Sequence, residues 1–204
     1  NCLQETWYLA NDLQFFVLLC VLVTLYSKDK KKFYGMMAGI AGVSLMFQLI
    51  VICKNSLSAS YLTSEDEYWT LYHFKPYSRI HGYLIGVWLG CEFYSYKYVK
   101  KESDDEEKPS ESLLHQLFDS MKYQKQITVC YMCLGALMQI MMVLFHRWIN
   151  MNPYTISEAW SIIYLLFCRP IYISGLSLIF LPILVKNTST NPLRKLLGHE
   201  YWIP

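Results

Sequence analysis

Three signatures of soluble enzymes are missing from this sequence. It holds no GxxxxGK followed by Ser or Thr, no GxSxG and no HExxH, so nothing in it suggests phosphate cradling, a soluble serine hydrolase or a zinc peptidase. Charge is sparse too: Asp, Glu, Lys and Arg make up 17% of 204 residues and the net charge is +2, which supports no nucleic-acid partner. Cysteine occurs seven times, but Cys130 and Cys133 form the single CxxC, inside an apolar stretch with no second pair nearby. They read as packing residues rather than a zinc or redox site. What remains is 54% hydrophobic and 16% aromatic, too apolar for an ordinary soluble domain. The chain reads as an integral, multi-pass membrane protein of the plasma membrane or an endomembrane, with the lipid bilayer as its first partner.

Five apolar stretches approach the roughly 20 helical residues that a bilayer core requires: 7–26, 34–53, 77–96, 127–146 and the longer 156–185. The expected fold is an all-α polytopic helical bundle, one transmembrane domain over residues 1–204, with about five spans and an interfacial helix. The last stretch would be about 45 Å long as a single helix. It is therefore expected to be an interfacial helix leading into a span, with Pro170 as the joint because proline cannot donate to the preceding turn.

If the spans alternate, the turn SKDKKK, residues 97–126 and the tail after Val185 share one side and hold 13 of the 18 basic residues. That side should be cytoplasmic. The segment KKESDDEEKPSES is charged and poor in apolar residues, so residues 97–112 read as a solvated cytoplasmic linker. Helical spacing resumes at LLHQLFDSMKY, from Leu113. The sequon at Asn187 falls on the cytoplasmic side and should carry no sugar. Cys2 and Cys53 fall near the outer face, where a disulfide persists, and Cys2 is expected to be oxidised.

Asp12 stands with Asn11 and Gln14 at the mouth of an otherwise apolar run, and Arg79 lies at similar depth in its own stretch. A charge in that setting is usually paired or lines a wet cavity, so the two are expected to face each other directly or through one water. Trp7, Tyr8 and Asn11 are placed within about one turn on the same face as Asp12. Arg169 lies 13 residues into its stretch from Ile156 and Glu92 15 residues in from Tyr77 on a span running the same way, a comparable depth that makes them expected partners. Gln48 and Gln139 read as helix-to-helix hydrogen bonders.

The block TWYLANDLQ after Cys2, then KPYSRIHGYLIG from Lys75 to Gly86, and later CRPIYISGLSLIFL, resemble the acyltransferase-3 family of multi-span membrane enzymes, in the branch named after nose-resistant-to-fluoxetine proteins. That branch carries Cys, TWYLAxDxQ and KPxxRIxPYLxG in this order; here Gly82 replaces the proline. The tail LRKLLGHEYWIP also looks like the family's loop before its final span. The resemblance implies a membrane O-acyltransferase that moves an acyl group from an acyl-CoA-type thioester donor to a hydroxyl acceptor, with no resident cofactor and no metal. It implies Asp12 and Arg79 as supporting residues, and Trp7, Tyr8, Asn11, Gln14, Tyr83 and Arg169 as substrate-binding candidates. Asp12 and Arg79 either position and polarise the donor or form a salt bridge that fixes packing.

The family's proposed catalytic His lies upstream of the first block, and His81 occupies a variable position, so the catalytic residue stays unknown. Asn1 in place of Met and the abrupt end at Pro204 suggest a piece of a longer polypeptide; a chain complete as given should be inactive. The alternative is a non-catalytic subunit, assembled with other membrane subunits, or a carrier of apolar ligands.

Overall fold

The computed structural model describes residues 7–60, 67–99 and 113–185. All of the regular structure there is helical: α1 (Trp7–Lys28), α2 (Lys30–Lys54), a π-helical turn (Tyr68–His73), α3 (Pro76–Tyr94) with a π-helical extension (Ser95–Val99), α4 (Leu113–Tyr123), α5 (Lys125–Met151) and α6 (Glu158–Val185). Among the described residues α1, α2, α5 and α6 are long and apolar enough to cross a bilayer, which makes this a helical membrane bundle. Their outward faces are studded with exposed Leu13, Phe16, Phe47, Leu137, Leu144 and Phe167, as lipid contact requires.

The fifth expected span is α3. At 19 residues it is about 28 Å long, enough to cross, but it is not among the four most apolar helices. The reason is its position. It packs against α1, α2 and α6 and buries Ser78, His81 and Glu92, so its polar groups face protein rather than lipid.

A single residue separates α1 from α2. Asp29 adopts an extended conformation and its carboxylate accepts the backbone N–H groups of Lys31 (2.9 Å) and Lys32 (3.3 Å), an N-cap that starts α2 at once. Those bonds hold the Asp29 carboxyl below its usual range. This turn, the end of α3 and the start of α5 lie at the lysine-rich end of the bundle. The N-terminus of α1 and the π-helical turn lie at the opposite, far end.

The expected joint at Pro170 is absent. α6 runs unbroken from Glu158 to Val185 with Pro170 and Pro182 inside it. Pro170 leaves the Leu166 carbonyl without its usual intrahelical donor, and α6 continues past it; one residue earlier the Tyr72 hydroxyl donates to the carbonyl of Leu165. The short amphipathic helix is instead α4, which seats Phe118 and Met121 against Leu181 and Val185 of α6. It begins at Leu113, where helical spacing was expected. α5 and α6 cross closely at Gly135 and Gly175, and Gln139 donates to the Tyr172 carbonyl (2.6 Å) as a helix-to-helix bond.

Candidate functional site

Pro76 at the first position of α3 sets the helix start, and the preceding π-helical turn folds back over it. Ser78 closes this junction with one hydroxyl proton shared between the carbonyls of Tyr72 (2.6 Å) and Lys75 (2.8 Å). The junction brings two guanidinium groups onto one imidazole. Arg79 donates through Nε to the His73 carbonyl (3.1 Å) and lies 3.0 Å from His73 Nε2 through Nη2. Arg169 donates to Ser78 Oγ (2.6 Å), approaches His73 Nδ1 at 3.3 Å and sits over the Tyr72 ring, 4.7 Å from its centroid. Guanidinium only donates, and a neutral imidazole accepts at one ring nitrogen while the other carries its proton, so His73 accepts from one of the two guanidiniums and meets the other with its N–H; a protonated ring could accept from neither. Burial first, then the charges of Arg169 and Arg79, push its pKa down to about 4.

Both arginines open onto a cavity of about 550 Å³ between α1, α3, α5 and α6, near the far end. Its polar wall holds Asp12, His73, Arg79, Tyr83, His146, Tyr164, Cys168 and Arg169. The rest is apolar, including Phe15, Met142, Val143 and Ile173. A second polar chain braces it from α5: His146 Nδ1 lies 2.9 Å from the Tyr164 hydroxyl, and Asn150 reaches both His146 Nε2 (3.1 Å) and the His146 carbonyl (3.0 Å).

Asp12, Arg79, Tyr83 and Arg169 thus meet in one cavity. Asp12 and Arg79 share its wall, but among the described residues no ion pair within 4.0 Å joins them, and Arg79 hydrogen-bonds to His73. Asn11 departs from the face expected for it. It is buried, and its amide donates to the Phe74 carbonyl (3.0 Å), tying α1 to the turn before α3. Tyr8 is exposed on the outside of α1. Gln14 lines a separate apolar groove with Leu18, Ser44 and Tyr77. Trp7 begins α1, and its side chain lies outside the described groups, as do Cys2, Asn187 and residues 100–112. His81 is a packing residue held between Gln48 (3.1 Å) and the Ala41 carbonyl (3.2 Å). Cys130 and Cys133 lie exposed on α5 rather than packed, and no group of metal ligands occurs among the described residues.

The expected pairing of Arg169 with Glu92 is wrong. Contacts of Ser78 with Arg169 and of Gly82 with Ile173 set α3 and α6 parallel with a fixed offset. In that register Arg169 lies level with the first turn of α3, whereas Glu92 is 14 residues, or about 21 Å, further along. The error was one of origin, because α6 begins well before the level at which α3 starts. Glu92 instead accepts from Tyr26 (3.2 Å) and Tyr34 and faces His115 of α4 at 3.5 Å, at the lysine-rich end.

Sequence reasoning missed His73, His146 and Tyr164. His146 carried a readable signal, a polar ring near the end of an apolar stretch. His73 gave none beyond its place two residues before Lys75.

Compared with known proteins, the chain is 22% identical over its whole length to nose resistant to fluoxetine protein 6 of Caenorhabditis elegans, of which the match covers 24%. The chain thus spans about a quarter of that relative. No family model matches, and no solved structure matches.

Proposed function

We propose that this chain forms part of a membrane-embedded O-acyltransferase, in which the far-end cavity receives the acyl group of a thioester donor for transfer to a hydroxyl acceptor. The observation that carries this reading is the convergence of Arg79 and Arg169 on neutral His73 at the wall of a largely apolar cavity. Two blocks support it, since TWYLANDLQ and KPYSRIHGYLIG resemble the acyltransferase-3 pattern and supply Asp12, Arg79 and Tyr83 to that wall. When the acceptor oxygen attacks the thioester carbon, negative charge grows on the carbonyl oxygen, and fixed guanidinium N–H groups in a water-poor site favour that state. The C–O bond then forms as the C–S bond breaks, and the thiol leaves with the acceptor's proton. Here His73 acts as a positioning residue that spaces the two guanidiniums. The resemblance puts the family's proposed catalytic histidine upstream of the first matched block.

A second reading, a non-catalytic subunit or carrier of an apolar ligand, is favoured by one observation. The cavity's arginines and His146 all engage neighbouring protein groups, as a packing network would. The discriminating experiment uses the full-length protein in lipid nanodiscs with acetyl-, butyryl- and palmitoyl-CoA and a cell-membrane extract as acceptor, following release of free CoA thiol. The enzyme reading expects protein-dependent release that falls about 10²- to 10³-fold in Arg169→Gln while thermal unfolding remains cooperative. Absence of release with every donor would leave the carrier reading.

A further inference from the structure

The CxxC of α5 takes no part in the arginine cavity. Cys130 and Cys133 are both exposed, whereas Cys91 is buried and Cys168 half-buried. At i and i+3 on one helix the two thiols share a face, one turn apart. That face continues as a stripe through Leu134, Leu137, Met141 and Leu144, each about half exposed, and it is the side that α5 turns to lipid. Cysteine in a membrane helix otherwise serves as a small apolar packing group. That role asks for a packed neighbour, whereas both of these thiols stand outward.

Depth is the second observation. α5 starts at Lys125, at the lysine-rich end of the bundle, so Cys130 is five residues, or about 8 Å, inside that end and Cys133 eight residues, or about 12 Å. Counted from Ile127, where the apolar stretch begins, Cys130 lies only three residues, about 5 Å, into it. A nucleophile there meets the level at which an acyl donor rests with its polar head in water and its chain in hydrocarbon. If basic loops face the cytoplasm, thiols at this end also stay reduced and free to react.

We propose that Cys130 and Cys133 form an S-acylation site, with Cys130, the shallower thiol, as first acceptor of a long-chain acyl group from acyl-CoA, brought by a membrane S-acyltransferase. The cysteine sulfur attacks the thioester carbonyl, the new C–S bond forms as the C–S bond to CoA breaks, and the cysteine proton leaves on the CoA sulfur. One thioester replaces another, with no oxidant or reductant. From Cys130 to Leu144 the stripe runs 14 residues, or about 21 Å, the length of an extended palmitoyl chain, so the attached chain lies along it and pins the corner between α4 and α5 to the leaflet. The site is at the opposite end from the arginine cavity and stands whether or not that cavity transfers acyl groups.

The test is metabolic labelling of the full-length protein in cells with an alkynyl palmitate, followed by mass spectrometry of the peptide that holds residues 126–147, with and without neutral hydroxylamine. An acyl group that hydroxylamine removes is expected on Cys130, and at lower occupancy on Cys133. Cys130→Ala should remove most of the label from this peptide, and adding Cys133→Ala all of it, with cooperative thermal unfolding kept because both side chains are exposed. Cys53 is exposed as well but stands at the far end, and Cys20 is a single thiol eight residues before Lys28, so both should stay unlabelled. A peptide without an acyl group, an acyl group that resists hydroxylamine, or occupancy at Cys20, Cys53 or Cys133 that matches or exceeds that at Cys130 would overturn the proposal.

Discussion

Glu92 is 1% exposed, and its two oxygens are treated differently. Oε1 takes the hydroxyls of Tyr26 and Tyr34, whereas Oε2 faces His115 Nε2 across 3.5 Å with neither atom hydrogen-bonded. A carboxylate so deep relies on its donors, so Tyr34→Phe should destabilise the bundle by about 1.5–3 kcal/mol, read from thermal unfolding in detergent. A loss within error would show that the Tyr34 bond is dispensable. At the other end, His73 has a pKa of about 4 against an ordinary 6.5, so the unfolded chain binds the proton more readily. The stability this contributes is full above 6.5 and lost as pH falls toward 4. His73→Gln should flatten that fall between pH 7 and 5 relative to wild type; parallel curves would mean that His73 does not titrate in this way. Asp12, Arg79 and Arg169 were legible as charges in apolar runs, since an ion there demands a reason. Which of them pair was not, because partner choice depends on the relative level of helices, and one-chain spacing does not fix that.

At the scale of elements, α5 and α6 meet where side chains vanish. A methyl group built on Gly135 would lie 2.5 Å from the Gly175 carbonyl and 2.9 Å from Ile179, and backbone cannot yield as a side chain does. Gly135→Ala should therefore cost about 1–3 kcal/mol by overpacking. Gly86 on α3 has open space around it, so Gly86→Ala should stabilise by about 0.5–1 kcal/mol through helix propensity. Equal unfolding temperatures for the two variants would refute the close crossing. Gly82 belongs to the same class, with Ile173 2.9 Å from its missing methyl, so its departure from the resembled proline coincides with a close approach of α3 to α6. Helix positions were legible from apolar length alone. The continuity of α6 through Pro170 was not, because whether proline breaks a helix depends on the packing of the elements around it, which are remote in sequence.

For the whole molecule, the bundle separates a lysine-rich end from a far end that carries the arginine cavity. Composition made the membrane class legible. The enclosure of a polar helix, α3, by apolar ones was visible only once α3 was seen to contact α1, α2 and α6 together. If basic loops face the cytoplasm, the cavity faces the exterior or a lumen. In sealed cells, Ser103→Cys should then react with an impermeant maleimide only after permeabilisation. The most direct measurement of whether that cavity is the working site is the same labelling of Asp12→Cys, at its exposed lip, in a background without other cysteines. The expected result is labelling without permeabilisation, slowed by the acyl donor, with the protection lost when Arg169→Gln is added. Labelling that requires permeabilisation, or that proceeds at one rate with and without ligand, would contradict it.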